Sequence, residues 1–493
     1  MSFVLERTSV DEAGWRRAAE SALQAGGRLG ALWGTDEAGS FAVHALLVVH
    51  DRLLWITLPV EERYPDLSHA FPAAARMQRA VADLLGLRAG DDARGWLRHG
   101  AWTADSLPLR KDRPVDAKLP EGDPRYAFVR VDGEGVHEIP VGPVHAGIIE
   151  PGHFRFSVVG ERVLRLEERL GYTHKGIEKR FESLSLEEGA RLAGRVSGDS
   201  TVAYAWAYAM ALEAAAGARS PARALWLRAL LLERERIANH LGDLGALGND
   251  GGLAFGLAQF SRLKEDLLRT NRRLFGHRYL MDRVVPGGVA IDIDREATAA
   301  ILVEADRLEE ELGALRAIYY DHPGLQDRCI NCGRLTAQLA AQLGVVGLAA
   351  RASGHALDAR VFPGLPPYDE LQPKLCAHRN GDVAARIVVR FEEVFESLEL
   401  QRRIVRQLPA GACLAPLAQP AEGRFGIGWV EGWRGEVLVV LEAGENGRVR
   451  RCHPHDPSWQ NWPALEYAVL GNIVPDFPLI NKSFNLSYSG ADL

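Results

Sequence analysis

The pattern of apolar positions predicts a small α/β unit in the first 115 residues. Two β-rich apolar runs, Phe41–His50 and Leu53–Pro59, meet at a polar His-Asp step, which predicts a hairpin. Ala70–Leu87 carries apolar residues near helical spacing, which predicts a helix. Prolines and charged residues then become frequent. We therefore expect a first domain over 1–115 and a linker over 116–125.

The pattern changes after the linker, where long stretches have helical periodicity. Helices are predicted at 184–216, 225–247, 257–275, 296–319 and 383–407. Short strands are predicted before them and one sheet after them, at Tyr126–Val131, His153–Val159, Arg162–Arg165 and Gly426–Arg451, with Glu436–Leu441 the clearest strand. The predicted fold class is therefore α+β: a small α/β domain followed, over 126–493, by a mainly helical bundle with small flanking sheets.

Composition narrows the class of protein. The 493 residues include 58 Lys and Arg against 65 Asp and Glu, a formal net charge of −7, and 47% of residues are apolar. A weakly acidic chain without a basic tract is not typical of nucleic-acid binders. No apolar window has the ~18 residues of a membrane span, and the first residues lack a signal-peptide pattern. We expect a cytoplasmic chain that reaches a membrane only through partner subunits.

The richest candidate chemistry lies in two Gly-containing segments, 142–153 and 172–179. They bring together three imidazoles with carboxylates and a lysine, at His145, Glu150, His153, His174, Lys175 and Glu178. Imidazole and carboxylate groups at a turn can relay protons or hydrogen-bond a polar ligand. The alternative is a surface loop with capping roles, which spacing alone slightly favours.

Three other polar clusters can be explained by a structural role at least as well as by a functional one. Ser197 and Ser200 precede an Ala-rich helix, which predicts an N-terminal cap. The single Cys329-x-x-Cys332 pair is a weak signal for metal or redox chemistry, and sparse, unpaired cysteines indicate a reducing compartment. The stretch from Cys452 to Asp456 is either metal-capable or an exposed turn.

One helical face carries Glu233, Arg236 and His240, which predicts either a solvated face or a polar network that spans the bundle. No phosphate-binding glycine motif follows a strand, so nucleotide binding by this chain has no support.

Several longer segments resemble a known family. From about residue 126 onward the chain is similar to the large subunit of membrane-bound, energy-converting nickel–iron hydrogenases of the formate-hydrogenlyase and hydrogenase-4 type. Those proteins are homologous to the 49-kDa subunit of respiratory complex I. The matching segments are GPVHAGIIEPGHFRF (142–156), HKGIEK (174–179), ERERIANHLGDLGALGND (233–250), GLAARASGHALDAR (347–360), GWVEGWRGE (428–436) and NWPALEYAVLGNIVPDFPLINKSF (461–484). The first 110 residues resemble the 30-kDa subunit through shorter phrases.

The resemblance implies four cysteine ligands for nickel and iron, and this chain has none at those positions. Ser197, Ser200, Ser487 and Gly490 stand there instead. Nickel and iron in such centres depend on thiolate donors, and a serine hydroxyl stays protonated where a cysteine can ionise. We therefore expect no metal in this chain and no hydrogen chemistry.

The same resemblance implies roles for the remaining polar residues. Glu150 matches a proton-passing carboxylate and Arg434 an arginine beside the metals. His153 matches the histidine that binds a quinone head in complex I, although Gly198 stands at the position of the partner tyrosine. Asp199 completes the expected polar cavity. His145 and His174 are expected to face a partner's iron–sulfur cluster or a quinone.

These expectations combine into a leading hypothesis. The chain is predicted to be a metal-free, hydrogenase-4-like subunit of a complex I-related oxidoreductase on the cytoplasmic face of the inner membrane. Its predicted partners are a small iron–sulfur subunit and antiporter-like membrane subunits, and it would couple electron transfer to reduction of a quinone or to ion translocation. The alternatives are a purely structural docking subunit and a nickel–iron hydrogenase with unusual ligands.

Overall fold

The computed structural model describes residues 3–90 and 94–493, and its first part is a sheet with two packed helices. The elements are β1 (Val4–Ser9), α1 (Glu12–Gln24), β2 (Arg28–Glu37), β3 (Ser40–Val49), β4 (Arg52–Val60), β5 (Arg63–Tyr64), α2 (Ala74–Leu85) and β6 (Arg88–Ala89). The main sheet has the order β1-β4-β3-β2, with β1 parallel to β4. The predicted hairpin is confirmed as β3 and β4, and the predicted helix is confirmed as α2, which begins after Pro72.

A second sheet precedes the helical region. It contains β7 (Val136–Val141), β8 (His153–Val159) and β9 (Arg162–Arg169) in antiparallel order. The strand predicted at Tyr126–Val131 is wrong, because this stretch does not join the sheet. The Val129 N–H donates to a carboxylate oxygen of Glu167 at 2.8 Å instead of to a neighbouring strand.

The helical region contains the long elements that periodicity predicted. Its elements are α3 (Ile177–Phe181), α4 (Leu186–Ala193), α5 (Thr201–Ala215), α6 (Ala222–Asp250), α7 (Ala254–Phe275), β10 (Val284–Val285), β11 (Gly288–Val289), α8 (Arg295–Asp321), α9 (Pro323–Cys329), α10 (Ala337–Leu343), α11 (Gly347–Ala352), α12 (Tyr368–Leu371) and α13 (Val383–Gln407). No helix in the described ranges is long and apolar enough to cross a bilayer.

The single helix predicted over 184–216 is wrong, because a turn divides it into α4 and α5. The Asp199 carbonyl accepts hydrogen bonds from the side chains of Asn239 at 2.7 Å and Trp433 at 3.0 Å. These partners come from other elements, so the alanine-rich sequence did not reveal them. The turn places Ser197, Asp199 and Ser200 at the start of α5.

The remaining residues form a third sheet and three closing helices. The elements are β12 (Phe425–Glu431), β13 (Glu436–Ala443), β14 (Val449–His455), α14 (Ser458–Ala468), α15 (Phe477–Phe484) and α16 (Tyr488–Asp492). The sheet lies directly against α5, since a Cβ on Gly428 would lie 1.7 Å from the Ala207 carbonyl oxygen. This close approach fixes the β12–β13 turn beside the start of α5.

The first sheet and the later elements share one apolar core. Their contact also contains a buried ion pair network, in which the α2 residue Arg76 donates to Glu168 of β9 at 3.0 Å and to Glu466 of α14 at 2.8 Å. Burial and the neighbouring Glu466 raise the pKa of Glu168, although Arg76 opposes this. Arg76 is thus the cation that faces the buried Glu168 and the partly buried Glu466 from another part of the chain.

Candidate functional site

The fold brings together the four positions that the resemblance assigns to cysteine ligands. Ser197 and Ser200 flank the turn before α5, and Ser487 and Gly490 lie at the start of α16. The hydroxyl oxygens of Ser197 and Ser487 are 2.9 Å apart. Segments separated by 290 residues therefore meet at one place.

Hydrogen bonds and a carboxylate fill the space between these positions. The Gly490 N–H donates to the Ser487 hydroxyl oxygen at 2.9 Å. A Cβ built on Gly490 would lie 2.3 Å from Oδ2 of Asp456. This oxygen is fixed, because it accepts a hydrogen bond from the Tyr204 hydroxyl at 2.7 Å. A cysteine at 490 does not fit without displacing the buried Asp456.

An ion pair between Asp199 and Arg434 closes the same region. Both terminal nitrogens of Arg434 donate to the two carboxylate oxygens of Asp199, at 2.8 and 2.6 Å. The Arg434 side chain is buried, whereas that of Asp199 is 40% exposed. Burial alone would raise the pKa of Asp199, but the charge of Arg434 and hydrogen bonds from Arg434 and Ser197 lower it to about 2. The pair is fully charged at neutral pH.

A second acid, Glu235 of α6, lies against the first turn of α5. It accepts hydrogen bonds from the backbone N–H groups of Val202 at 2.6 Å and Ala203 at 3.1 Å. The predicted cap by Ser200 is therefore wrong, since Glu235 serves these N–H groups from another helix. Burial raises the pKa of Glu235 to about 8, partly against those backbone hydrogen bonds and with a contribution from Asp199.

A small cavity of about 10 Å³ lies between Glu235 and Asp199, with Lys264 also on its wall. This volume is close to the lower limit for one water molecule. The site therefore combines a charged ion pair, an acid that titrates near neutral pH and space for about one water.

Glu150 and His145 lie on the 142–152 loop, outside the ion pair. The exposed Glu150 accepts a hydrogen bond from the Ser489 N–H at 3.1 Å, and His145 Nε2 is 3.1 Å from the Tyr488 hydroxyl. Burial lowers the pKa of His145 and raises that of Tyr488. The loop is thus attached to α16, the helix that Ser487 caps and that contains Gly490.

His153 and His174 point to different surroundings. Within the described residues, His153 contacts the Gly142 carbonyl, Phe128 and Arg155, and the structure gives it no contact with the Asp199–Arg434 pair. His174 Nδ1 lies 2.7 Å from the Asp492 carbonyl oxygen. Burial lowers the pKa of both histidines. The predicted site residues thus form two groups, with Glu150, His145 and His174 around α16.

Asp492 is a buried acidic residue near the site that the sequence did not predict. It is buried and accepts three hydrogen bonds, from the backbone N–H of Gly171 and from the N–H and hydroxyl of Thr173. Burial raises its pKa to about 6, against the effect of those donors. Asp492 lies in no recognised motif. Glu235 and Asp456 lie in stretches that the sequence singles out, but the sequence did not reveal their contacts with α5 and with Gly490.

The remaining candidate clusters are structural in character. Cys329 and Cys332 are buried free thiols, and burial raises the pKa of both, which makes them weak nucleophiles. The stretch Cys452–His455 is a buried strand, so the exposed-turn alternative is wrong. Of the two readings for Glu233, Arg236 and His240, the bundle-spanning network is confirmed because all three are fully buried.

The donor atoms present do not fit a nickel–iron centre. The four implied positions offer three hydroxyls and no thiol, and the Ser197 and Ser487 hydroxyls already contact each other. In the ranges 3–90 and 94–493, no group of three or more His, Cys, Asp or Glu side chains is arranged to hold a metal ion.

Comparisons with known proteins connect this chain to a family. Residues 8–119 match the family described as respiratory-chain NADH dehydrogenase, 30 Kd subunit, and residues 250–422 match its 49 Kd subunit. The chain is 32% identical to formate hydrogenlyase subunit 5 of Escherichia coli, over 95% of this chain and 85% of that protein. It is 31% identical to hydrogenase-4 component G of the same organism, over 94% of this chain and 84% of that protein.

A solved structure shares the fold of the larger part. A chain of the membrane-bound sulfane sulfur reductase, an archaeal respiratory membrane complex, superposes with a TM-score of 0.69 at 23% identity, over 73% of this chain and 99% of that chain. These matches and the fused order of the two subunit types agree with the family resemblance in the sequence. The chain therefore belongs to the family of hydrogenase large subunits that join 30-kDa-type and 49-kDa-type complex I sequence in one chain.

Proposed function

We propose that this protein is a metal-free coupling subunit of a complex I-related membrane oxidoreductase. The observation that carries the proposal is the closed ligand position, where Asp456 occupies the space that a side chain at Gly490 would need. The Ser197–Ser487 contact and the Asp199–Arg434 pair fill the neighbouring space. A site filled in this way has no donors for nickel and cannot turn over hydrogen.

The polar groups that remain suit proton handling. Charges in a buried site interact over long distances because the effective dielectric constant is low. An electron arriving on a partner's iron–sulfur cluster would therefore favour proton uptake at Glu235 at and above about pH 8, where this acid, whose pKa burial raises to about 8, is at least half ionised beforehand. Arg434 would stabilise the negative charge of Asp199, and Glu150 would connect this region to solvent.

The proposed partners follow from the same family. Relatives include a subunit of a complex named as membrane-bound, and a solved relative belongs to a respiratory membrane complex. We infer a small iron–sulfur subunit and antiporter-like membrane subunits as partners. Association at the cytoplasmic face of the inner membrane would then be peripheral and would depend on those partners.

The test follows cluster re-oxidation and proton uptake in the purified complex at about pH 8.5, where Glu235 is largely ionised before the electron arrives. Glu235→Gln keeps the shape of the side chain and removes its titration, while Glu445→Gln changes an exposed acid between β13 and β14. We expect Glu235→Gln to reduce proton uptake per electron at least twofold and Glu445→Gln to leave it unchanged. Wild-type uptake in both variants, together with unchanged ion transport in Arg434→Ala, would instead favour the purely structural subunit.

A quinone is the second candidate for the electron acceptor. Two apolar side chains on the 142–152 loop project into solvent, with Val144 80% and Ile148 fully exposed. They flank His145 and its contact with the Tyr488 hydroxyl. Exposed apolar residues beside polar hydrogen-bonding groups suit an apolar ring with polar carbonyls or an apolar partner surface.

Titrating the reduced complex with a soluble quinone analogue shows whether this loop binds a quinone or an apolar partner surface. Under this second function, the analogue oxidises the cluster, and His153→Ala or His145→Phe slows the oxidation at least tenfold. His137→Ala, on the exposed strand β7, is the control and leaves the rate unchanged. No oxidation in the wild type, or equal rates in all variants, would rule out quinone reduction at this loop.

A further inference from the structure

A cluster of charged side chains lies in the centre of the helical region, away from the site described above. Its members come from α6, α11, α13, β12 and the 358–360 segment. The carboxylates are Glu233, Asp358, Glu393 and Glu431. The basic groups are Arg236, His240, Arg351 and Arg360. Every member is at most 5% exposed, so the whole cluster is removed from water.

One arginine, Arg360, binds two carboxylates at one end of the cluster. Arg360 donates to Glu233 at 3.1 Å and to Asp358 at 2.7 Å. Glu233 also accepts hydrogen bonds from the hydroxyls of Tyr368 at 2.6 Å and Ser397 at 2.5 Å. The charge of Glu233 is therefore well satisfied, and the charge of Arg360 and that of Arg236 lower its pKa despite burial.

The other end centres on Glu393. Its two oxygens accept from Arg351 at 2.7 Å and from Arg236 at 2.6 Å. His240 Nε2 lies 3.0 Å from the same carboxylate. Arg351 also donates to Glu431 at 2.7 Å, so Glu431 shares its only guanidinium partner in the cluster with Glu393.

The charges of this cluster do not balance. Four carboxylates face three guanidinium groups, and burial lowers the pKa of His240, which favours its neutral form. Two further charges act on this cluster, and both are already paired: Glu436, which acts on Glu431, bonds Arg28, and Arg390, which acts on His240, bonds Asp243. An uncompensated buried charge strongly destabilises the folded protein, so we expect a bound proton to neutralise it.

We propose that the core ion cluster is a proton-binding site that holds one exchangeable proton, shared between the carboxyl group of Glu431 and the imidazole of His240. Binding forms an O–H bond on Glu431 or an N–H bond on His240. Release returns the proton to water and leaves the cluster with one net negative charge.

Electrostatics identify Glu431 as the main holder. Burial and the charges of Asp358 and Glu436 raise the pKa of Glu431 to about 7, against the opposing charge of Arg351. The proton therefore leaves close to neutral pH.

The cluster also connects to the Asp199–Arg434 pair through the backbone. Arg236 donates to the Gly432 carbonyl at 2.5 Å, and Gly432 begins the β12–β13 turn that carries Arg434. Use of this proton in electron-coupled transport rests on the proposed function. The presence of the proton does not, because it follows from the charges of this chain alone.

The test is a proton count on the full-length chain, with no electron transfer involved. The wild type, Glu431→Gln and the exposed-acid control Glu445→Gln are titrated between pH 6 and 8 after circular dichroism has verified their folding. We expect Glu431→Gln to release close to one proton fewer than the wild type, and the control to match the wild type. Matching curves for all three proteins would overturn the proposal.

A measurement on the wild type alone covers the case in which Glu431→Gln does not fold. Infrared difference spectra should show a protonated carboxylic acid band at pH 6 that shifts in deuterated water and declines toward pH 8. Nitrogen resonances of ¹⁵N-labelled histidine report a proton that resides on His240 instead. Absence of both signals would overturn the proposal and leave the electron-coupling function untouched.

Discussion

Gly490 lies in contact with a carboxylate that is held from two sides. Asp456 accepts hydrogen bonds from the Tyr204 hydroxyl at 2.7 Å and from the Ser458 N–H at 2.8 Å. A methyl group at 490 would push against Oδ2 of this buried acid. At the residue scale, the absence of a side chain at 490 is therefore a requirement of the packing around Asp456.

Gly490→Ala should lower the free energy of unfolding by about 1–3 kcal/mol, because overpacking breaks the Tyr204 bond. A matched control is Gly313→Ala in α8, where an added Cβ meets nothing within 4 Å. That change should raise stability by about 0.5–1 kcal/mol. Denaturant midpoints measure both, and equal stability of Gly490→Ala and the wild type would contradict the packing argument.

Asp199→Asn should destabilise the protein at neutral pH, because it leaves buried Arg434 without a charged partner. We expect a loss of about 1–3 kcal/mol, below that of a fully buried pair, since the Asp199 side chain is 40% exposed. The folded-state pKa of about 2 is depressed, so this stability is present above about pH 4 and is lost toward pH 2. Denaturant titrations at several pH values should show the difference in stability between the wild type and Asp199→Asn disappearing as the pH falls from about 4 to 2. A difference that does not change with pH would disprove the stabilising role of the charged Asp199.

The four implied ligand positions were predictable at the residue scale because they lie in motifs with fixed neighbours along the chain. Glu235 and Asp456 were not, since their roles depend on contacts with α5 and α16 that are distant in sequence. A single sequence carries no signal for such tertiary partners. The same limit explains why Ser200 was wrongly assigned as a cap.

At the element scale, the start of α5 depends on an acid from α6. Glu235 accepts from two N–H groups there, yet burial keeps its pKa at about 8, so it is mostly protonated at neutral pH. The helix start is thus served by a carboxyl group that changes charge in the physiological range. The local sequence of α5 supplies no substitute, because neither the Ser200 nor the Thr201 hydroxyl accepts a hydrogen bond from these N–H groups.

Glu235→Gln should change stability in a pH-dependent way. The raised folded-state pKa means that the protonated acid stabilises the fold below about pH 4.3, and that this contribution is lost as pH rises toward 8. The wild type should therefore lose stability relative to Glu235→Gln between about pH 4.5 and 8 and run parallel to it above. Chemical denaturation across this range measures the difference, and the opposite slope would show that the charged carboxylate is the stabilising form.

Long helices were predictable at this scale because many periodic positions agree. The element α13 has the predicted bounds Val383–Gln407. The prediction failed where side chains from other elements decide the backbone, as at Asp199 between α4 and α5. It also missed β1, α1 and β2, which complete the first sheet.

At the scale of the whole molecule, residues 1–125 shield apolar and acidic side chains of the remaining chain from water. Removing them would leave Glu168 and Glu466 without Arg76 and would open the shared apolar core. We expect residues 126–493 alone to be insoluble or poorly folded. Coexpression with residues 1–125 should restore a soluble complex. A soluble, cooperatively unfolding 126–493 fragment would contradict this, as judged by circular dichroism and denaturation.

The proposed function requires that this chain carries no nickel–iron centre. The most direct measurement is the nickel content of the purified complex, with the iron of the partner subunit as an internal reference. We expect nickel at background level with iron present, because hydroxyls and the Asp456 carboxylate fill the ligand positions. About one nickel per chain would contradict it.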